Sequence, residues 1–531
     1  MSHITLDIAG QRSALGICRL RVQQLINEIP LAQLELRIPT DNHGAADNAV
    51  QREVSRFTLG AHVVIARDKK PLFDGYLVQK KIQLKGKEWS VRLEARHALQ
   101  KLTFLPHSRV FHQQDDNTVL KGLLRSARVK LTQKAAAQLS SKHDQLIQFR
   151  LSDWQFIRSR LLSTNCWLLP DAASDTVEIR PLSDAVTASA SRTLARDSRD
   201  YTLYEVNLSF DNRFTPDSLS LQGWDIAAQR LTPVQKSTAG AFQPWKSAGK
   251  TGQSSTWRQD YALAFSMLPE ATLKTLSSSW LNYQQMTGVQ GHIVLAGTRD
   301  FAPGESITLS GFGAGLDGTA ILSGVNQLFD TQNGWRSELT IGLSASMLEP
   351  APPVRSLHIG TVAGFTADPQ HLDRIAIHLP ALNLPDSRIF ARLSKPWASK
   401  ASGFCFYPEP GDEVVVGFID SDPRYPIILG AMHNPKNTAP IPPDEKNNRK
   451  GLIVSKADQT QALMIDTDQR TLRLMAGDNT FTLTGEGDIA VSTPNALQLQ
   501  ADTLGLQADG NLSINSKQQV EITSAKINMK K

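Results

Sequence analysis

Cysteine is almost missing from this chain: Cys18, Cys166 and Cys405 stand far apart, with no Cys-x-x-Cys spacing. That excludes a disulfide framework and a thiolate metal site, and reads as three reduced, buried thiols of a protein made in the cytosol. Long apolar runs are missing too; none approaches the eighteen or so residues of a membrane span. No leader is expected, because Met1–Gly10 alternates like a strand. The histidines show neither His-x-His nor His-x-x-x-His spacing, so no metal ligands are expected. No two carboxylates stand out as a general acid and base, so no catalytic residues, no cofactor and no enzyme are expected. From Leu452 to Lys531 there is no Trp or Tyr and only one Phe, which removes the aromatic platforms a sugar-binding groove uses.

What is present is strand pattern. The 531 residues are 40% hydrophobic and 20% charged, ordinary for globular protein and enough for several domains with their own cores. Short alternating runs between Gly, Pro, Asn and Asp dominate, and the chain reads as mainly β. The densest pattern lies at the end. Apolar residues come in pairs two apart: Leu463/Ile465, Leu472/Leu474, Phe481/Leu483, Ile489/Val491, Leu497/Leu499, Leu504/Leu506, Leu512/Ile514, Val520/Ile522 and Ile527/Met529. Spacing of two marks one face of a strand, and a step near eight marks a repeat. Turn formers such as Asp478-Asn479, Gly485–Asp488 and Asp509-Gly510 lie between the pairs.

Such strands are too thin to fold alone. Burying two aliphatic side chains contributes about 3–6 kcal/mol, while ordering eight residues costs roughly 8 kcal/mol or more. Either one chain coils into a solenoid, or three identical chains intertwine as a prism; periodicity leaves both open. Stacked ~4.8 Å apart, nine strands make a needle ~40–45 Å long in the three-chain case. Residues 452–531 hold seven Lys/Arg against nine Asp/Glu, about −2, so the positive excess of the chain lies upstream.

Upstream, residues 1–350 read as one β-rich block. Strands are expected at Val63/Ile65, Leu77/Val78 and Trp89/Val91/Leu93, with a turn at Phe73-Asp74-Gly75. Helices are expected near Thr118–Ala127, from Ser152 to about Asn165, and near Ala271–Gln285. The second is the best marked: Ser152 and Gln155 form a capping box and Trp154, Ile157 and Leu161 share a face, with Trp154 as a core anchor. The run Arg67, Lys69, Lys70, Lys80, Lys81, Lys85, Lys87 reads as a solvated hairpin face; nucleic acid would require a denser patch, and no nucleic-acid partner is expected. Gly249-Lys250-Thr251 resembles the end of a phosphate-binding loop, but Pro244 stands where that loop requires glycine. Prolines at 350, 352 and 353 mark a boundary. Residues 351–440 then offer five short strands, near His358–Val362, Ile375–Leu379, Phe404–Phe406, Val414–Phe418 and Ile427–Leu429, which suit an OB-type barrel. Phe404, Phe406 and Tyr407 are expected to pack that barrel or its contacts with other copies. Residues 441–451 are a linker, and 452–531 the needle.

The barrel motifs resemble those of the VgrG/phage-baseplate spike family. They are His358-Ile359-Gly360-Thr361-Val362, Asp368-Pro369, Arg374-Ile375, Pro408–Phe418 with its Gly411-Asp412-Glu413-Val414, and Asp422-Pro423-Arg424-Tyr425-Pro426 through Gly430. Asp373 and Phe390-Ala391-Arg392 depart from the family pattern. The resemblance implies a homotrimer with a barrel-rich hub, an OB barrel and a C-terminal triple-stranded β-helix. It implies two barrel-like modules per hub, although no duplication is legible in residues 1–350. It implies inner-tube and baseplate partners at the hub, and a PAAR-repeat tip protein meeting Ile527, Asn528 and Met529. The function implied is the central spike of a contractile injection system, closest to the antifeeding prophage and Photorhabdus virulence cassettes. Such a spike is made in the bacterial cytoplasm, carried on a phage tail-like particle, and touches the target membrane only in passing. The competing readings are a trimeric tail fibre or polysaccharide-degrading tailspike, and a nucleic-acid-binding OB protein.

Overall fold

Most of the alternating segments of the first 350 residues pair into one fourteen-stranded sheet, and the rest form three smaller sheets. The computed structural model describes residues 3–529 apart from 38–44, 87, 133–136, 183–191, 212, 214, 240–242, 249–259, 298–299, 314, 345–350 and 384–387. Lys87 and Gly249-Lys250-Thr251 therefore lie outside the described residues, as do Glu349 and Pro350. Two compact units result, Met1–Met432 and His433–Lys531.

The sheet is built twice from the same plan. Strands β1 (Gly16–Leu25), β2 (Leu31–Arg37), β3 (His62–Arg67), β4 (Lys70–Lys85) and β5 (Glu88–Arg96) lie in the order β1-β2-β5-β4-β3. Strands β6 (Leu203–Phe210), β7 (Val289–Ala296), β8 (Ser306–Ser310), β9 (Gly318–Asp330) and β10 (Gly334–Ile341) lie in the order β6-β7-β10-β9-β8. Even the irregularities match. The register of β1·β2 shifts between Ile17 and Arg19, and that of β6·β7 between Leu203 and Glu205. The register of β4·β5 shifts between Leu77 and Gln79, and that of β9·β10 between Leu322 and Gly324. One topology with bulges at corresponding positions is an internal duplication. The halves are joined where Gly324–Asp330 of β9 pairs antiparallel with Leu25–Arg19 of β1. Each has its own core, around Leu34, Ile65 and Phe73 in the first and around Ile293, Ile307 and Leu339 in the second.

The expected turn at Phe73-Asp74-Gly75 is instead the interior of β4, with Phe73 buried. The chain reverses at Asp68-Lys69, whose φ values are 47° and 69°. Gly75 is there for close approach: a Cβ would stand 2.4 Å from the carbonyl oxygen of Arg96.

Two helices lie between the halves, and a third lies within the second half between β6 and β7. Asp115 caps α1 (Asp116–Ser126), its carboxylate accepting from Thr118 N–H at 2.7 Å. Helix α2 (Asp153–Thr164) has the expected capping box, and Asn165 ends it in the left-handed region at φ 56°. Trp154 and Ile157 are buried in the core beneath. Helix α3 (Glu270–Thr287) covers the expected stretch and extends slightly beyond both ends. Of the thiols, all free, only Cys166 is buried; Cys18 is half-buried and Cys405 exposed.

The second part of the first unit is a closed five-stranded barrel. Strands β11 (His358–Gly364), β12 (Arg374–His378), β13 (Arg388–Leu393), β14 (Glu413–Phe418) and β15 (Pro426–Met432) close in the order β11-β12-β13-β15-β14. Four sit where the sequence placed them. The remaining strand is β13 rather than Phe404–Phe406, because Ile389 and Ala391 both turn fully into the barrel core while Phe404 and Phe406 face outward.

In the second unit, β16 (Arg449–Lys456), β17 (Gln459–Asp466), β18 (Thr471–Ala476), β19 (Asn479–Thr484) and β20 (Ile489–Ser492) form an antiparallel meander. The first hairpin turns through Ala457-Asp458, both at positive φ. Among the described residues from 493 to 529 there is no strand.

Candidate interaction sites of the barrel and the distal ladder

The barrel is clasped by the hairpin Pro106–Asp115 and Lys142–Ser152 that precedes α2. Ile147 and Phe149 of this hairpin enter the same core as Val362, Ile377 and Val416. Gln145 acts as a piece of backbone. Its Oε1 accepts from Phe390 N–H at 2.9 Å, and its Nε2 donates to the carbonyls of Phe390 at 3.2 Å and Arg424 at 2.8 Å. Arg374 bridges the two parts, donating to Asp144 at 2.9 Å and Asp368 at 2.6 Å. Burial alone would raise the Asp368 carboxyl; Arg374 and the N–H groups of Gln370 and Leu372 outweigh it and hold it at about 2.

Beside this clasp lies a cleft of about 220 Å³ lined by Asp116, His143, Arg160, Arg374 and Arg424 among others. Its charges satisfy one another. Arg160 donates to both oxygens of Asp116 at 2.6 and 3.0 Å, and Arg424 to Asp422 at 2.6 Å. His143 Nε2 lies 2.7 Å from Asp116. Burial opposes the charged form of Asp116, yet Arg160 and His143 pull its carboxyl far below the usual range. Of the hydroxyls that line it, Ser163 and Thr164 bond carbonyls of their own helix. The arrangement locks hub to barrel.

The family-like turn Pro408–Glu413 leads into β14, with Gly411 at φ 91° and Asp412 accepting from Glu409 N–H at 2.8 Å. The aromatics of the preceding segment line the outside. Phe404 and Phe406 contact each other at 6.3 Å, Tyr407 meets Phe365 edge-on at 6.5 Å, and Lys395 bonds the Tyr407 hydroxyl at 2.8 Å.

The apolar pairs of the ladder fall into register. Leu452, Leu463, Leu474, Phe481 and Val491 stand opposite one another in one row across the five strands. Ile465, Leu472, Leu483 and Ile489 form the neighbouring row. Both rows lie on one face, and that face is open: Leu463, Phe481 and Leu483 are half-buried and the rest exposed. Further on, Leu497, Leu499, Leu504, Leu506, Leu512, Ile514, Val520 and Ile522 are each 51–68% exposed. Ile527, Asn528 and Met529 are exposed as well. Across the five strands an apolar face is thus left open; in proteins generally, exposed apolar faces of this kind mark interaction surfaces.

Comparison with known proteins agrees with this layout. Residues 1–330 match the family described as the Alg8 N-terminal domain, and residues 358–433 the type VI secretion system/phage-baseplate injector OB domain. The actin cross-linking toxin VgrG1 of Vibrio cholerae is 34% identical over 99 residues, 17% of this chain and 9% of that protein. The type VI secretion system spike protein VgrG3 of Vibrio cholerae is 33% identical over 103 residues, 18% of this chain and 10% of the other. VgrG1a of Pseudomonas aeruginosa is 31% identical over 133 residues, 22% and 21% of the two chains. The chain thus spans only a small part of the length of these relatives. Among solved structures, the lidless Francisella PdpA–VgrG complex superposes with a TM-score of 0.56 at 11% identity, covering 93% of this chain and 98% of that one. The Escherichia coli c3393 protein, a type VI secretion component described as similar to bacteriophage T4 gp27 and gp5, gives a TM-score of 0.51 at 13% identity. It covers 80% of this chain and 99% of its own.

Proposed function

This chain belongs to the VgrG/phage-baseplate hub–spike family, with residues 1–330 in the Alg8 N-terminal-domain family, and on that premise we propose that three copies form the central spike of a contractile injection system. Residues 1–350 are the hub that meets the inner tube and baseplate, 351–440 the barrel, 441–451 a linker and 452–531 the needle. The two open apolar rows of the ladder, and the unpaired backbone of 493–529, carry the reading. Each is a surface that only further strands can cover, and three copies supply them. The sixteen needle positions from Leu463 to Ile522 then form the shared interior. On this reading Ile527, Asn528 and Met529 lie toward the needle's tip, where a PAAR-type protein would sit.

The work of such a spike is mechanical. Strands that share main-chain hydrogen bonds around a dry interior cannot leave singly, so a sheath's thrust passes through to the target envelope. The machine proposed is of the extracellular type, made in a bacterial cytoplasm and released as a phage tail-like particle. Sedimentation of the purified chain tests the reading: assembly at three times 58.4 kDa is expected. A stable, folded single chain overturns it.

A further inference from the structure

The polar face of the hub sheet differs between its two halves. In the first half Leu20, Leu34 and Leu93 turn into the core, and the residues between them face the other way in two cross-strand rows. Asp330, Arg19, Glu35, Arg92 and Lys81 stand opposite one another in succession. Arg336, Leu328, Arg21, Gln33, Glu94 and Gln79 form the neighbouring row. The rows line a groove of about 600 Å³ that crosses β10, β9, β1, β2, β5 and β4. Its five cations outnumber its three carboxylates. Every carboxylate is engaged: Asp330 by Arg336 at 2.8 Å, Glu94 by Arg96 at 2.8 Å, and Glu35 by Arg19 at 3.7 Å and Arg92 at 3.5 Å. Arg21 and Lys81 are exposed and form no ion pair among the described residues. The second half repeats the two rows without the charge. Glu205, Val294, Glu338 and Asn326 stand where the first half has Arg19, Glu35, Arg92 and Lys81. Asn207, His292, Thr340 and Gly324 stand where it has Arg21, Gln33, Glu94 and Gln79. The same sheet thus forms with no lysine or arginine at these eight positions, so folding does not require the four cations of the first half.

We infer that this groove docks an acidic, extended peptide segment of a partner protein. Arg21 and Lys81 lie three strands apart and one pair along, roughly 16 Å, which about five residues of extended chain span. A carboxylate at each end meets a cation that the protein itself leaves without a counter-charge, and the Arg21 guanidinium can hold its carboxylate through two parallel bonds. Between the two cations lie Glu35 and Glu94 with their own arginines. A nucleic acid or polyphosphate, charged at every step, would press anions on these carboxylates. A peptide can set neutral residues there, with Leu328 as an apolar contact beside Arg21. The second half, with Glu205 and Glu338 in the matching places, repels the same ligand, so the duplicated sheet has one docking face and not two. The inference concerns a single chain and does not depend on the trimer.

The test titrates the full chain into a fluorescent peptide that carries two glutamates, spaced to the two cations, in a background of serine and leucine. Anisotropy is expected to report binding that weakens as salt is added, and the same peptide with glutamine for glutamate is expected not to bind. Arg21→Glu with Lys81→Glu is expected to weaken binding by about tenfold or more while leaving the thermal melt unchanged. Arg21→Gln with Lys81→Gln is expected to weaken it less, and it carries the test if the first pair melts lower. Asn207→Glu, at the position matching Arg21 in the second half, is expected to leave binding as it was. No binding by the wild-type chain, equal binding of the glutamine peptide, or full binding by both double variants overturns the inference. Polyphosphate that binds the wild-type chain more tightly than the peptide, and loses its binding in the same variants, overturns the peptide as occupant.

Discussion

Asp368 illustrates how a single side chain joins two bodies. It accepts from Arg374, which also holds Asp144 of the clasping hairpin. Because its folded value of about 2 lies below the ordinary carboxylate range, its contribution is present above about pH 4 and is lost as pH falls through 2. Asp368→Asn is therefore expected to lower stability at pH 6 by on the order of 2 kcal/mol, and thermal melts of the two proteins should converge toward pH 2. Gln145→Ala leaves Phe390 and Arg424 with unmet backbone groups and is expected to cost about 1–3 kcal/mol. Faster amide exchange at Phe390 would report it. Asp368 and Arg374 were legible as motif residues. Gln145 was not, because its partners lie 245 and 279 residues away and nothing local signals them.

Elements with local signals were the readable ones. Ser152 and Gln155 announce α2 by themselves, and Ser152→Ala is expected to cost about 1 kcal/mol in a denaturant titration. Strand β13 was missed because Arg388–Leu393 and Phe404–Phe406 both alternate, and only the closed barrel decides which alternation faces a core. The duplication was invisible for a different reason. Corresponding positions hold Leu84 and Phe329, Lys85 and Asp330, Glu205 and Arg19; a few agree, such as Trp89 with Trp335 and Leu93 with Leu339. The ladder's apolar pairs were legible as strand faces, but their direction was not, since alternation is the same whether the next strand turns back or winds onward. Up to Ser492 it turns back. Leu504 and Leu506 are exposed in the single chain, so replacing both by Asp is expected to abolish the trimer while leaving the melting of the hub and barrel unchanged. Sedimentation and circular dichroism read the two outcomes separately.

At the scale of the whole molecule, hub and barrel behave as one body, tied by a shared core and the Gln145 and Arg374 bonds. A chain stopped after Met432 is expected to fold and to melt in a single transition; separate transitions for hub and barrel would contradict the clasp. Limited proteolysis of unassembled copies is expected to remove the residues beyond Ser492 first.

That last stretch bears on the life of the protein in the cell. Translation delivers residues 493–529 after the hub and barrel have had time to fold, so newborn copies meet as finished heads with bare tails. A bare tail is what degradative enzymes grip. On the trimer proposed above, copies that fail to find companions are expected to be short-lived, so that the standing supply of this chain follows the rate at which threes are completed rather than the rate at which messages are read.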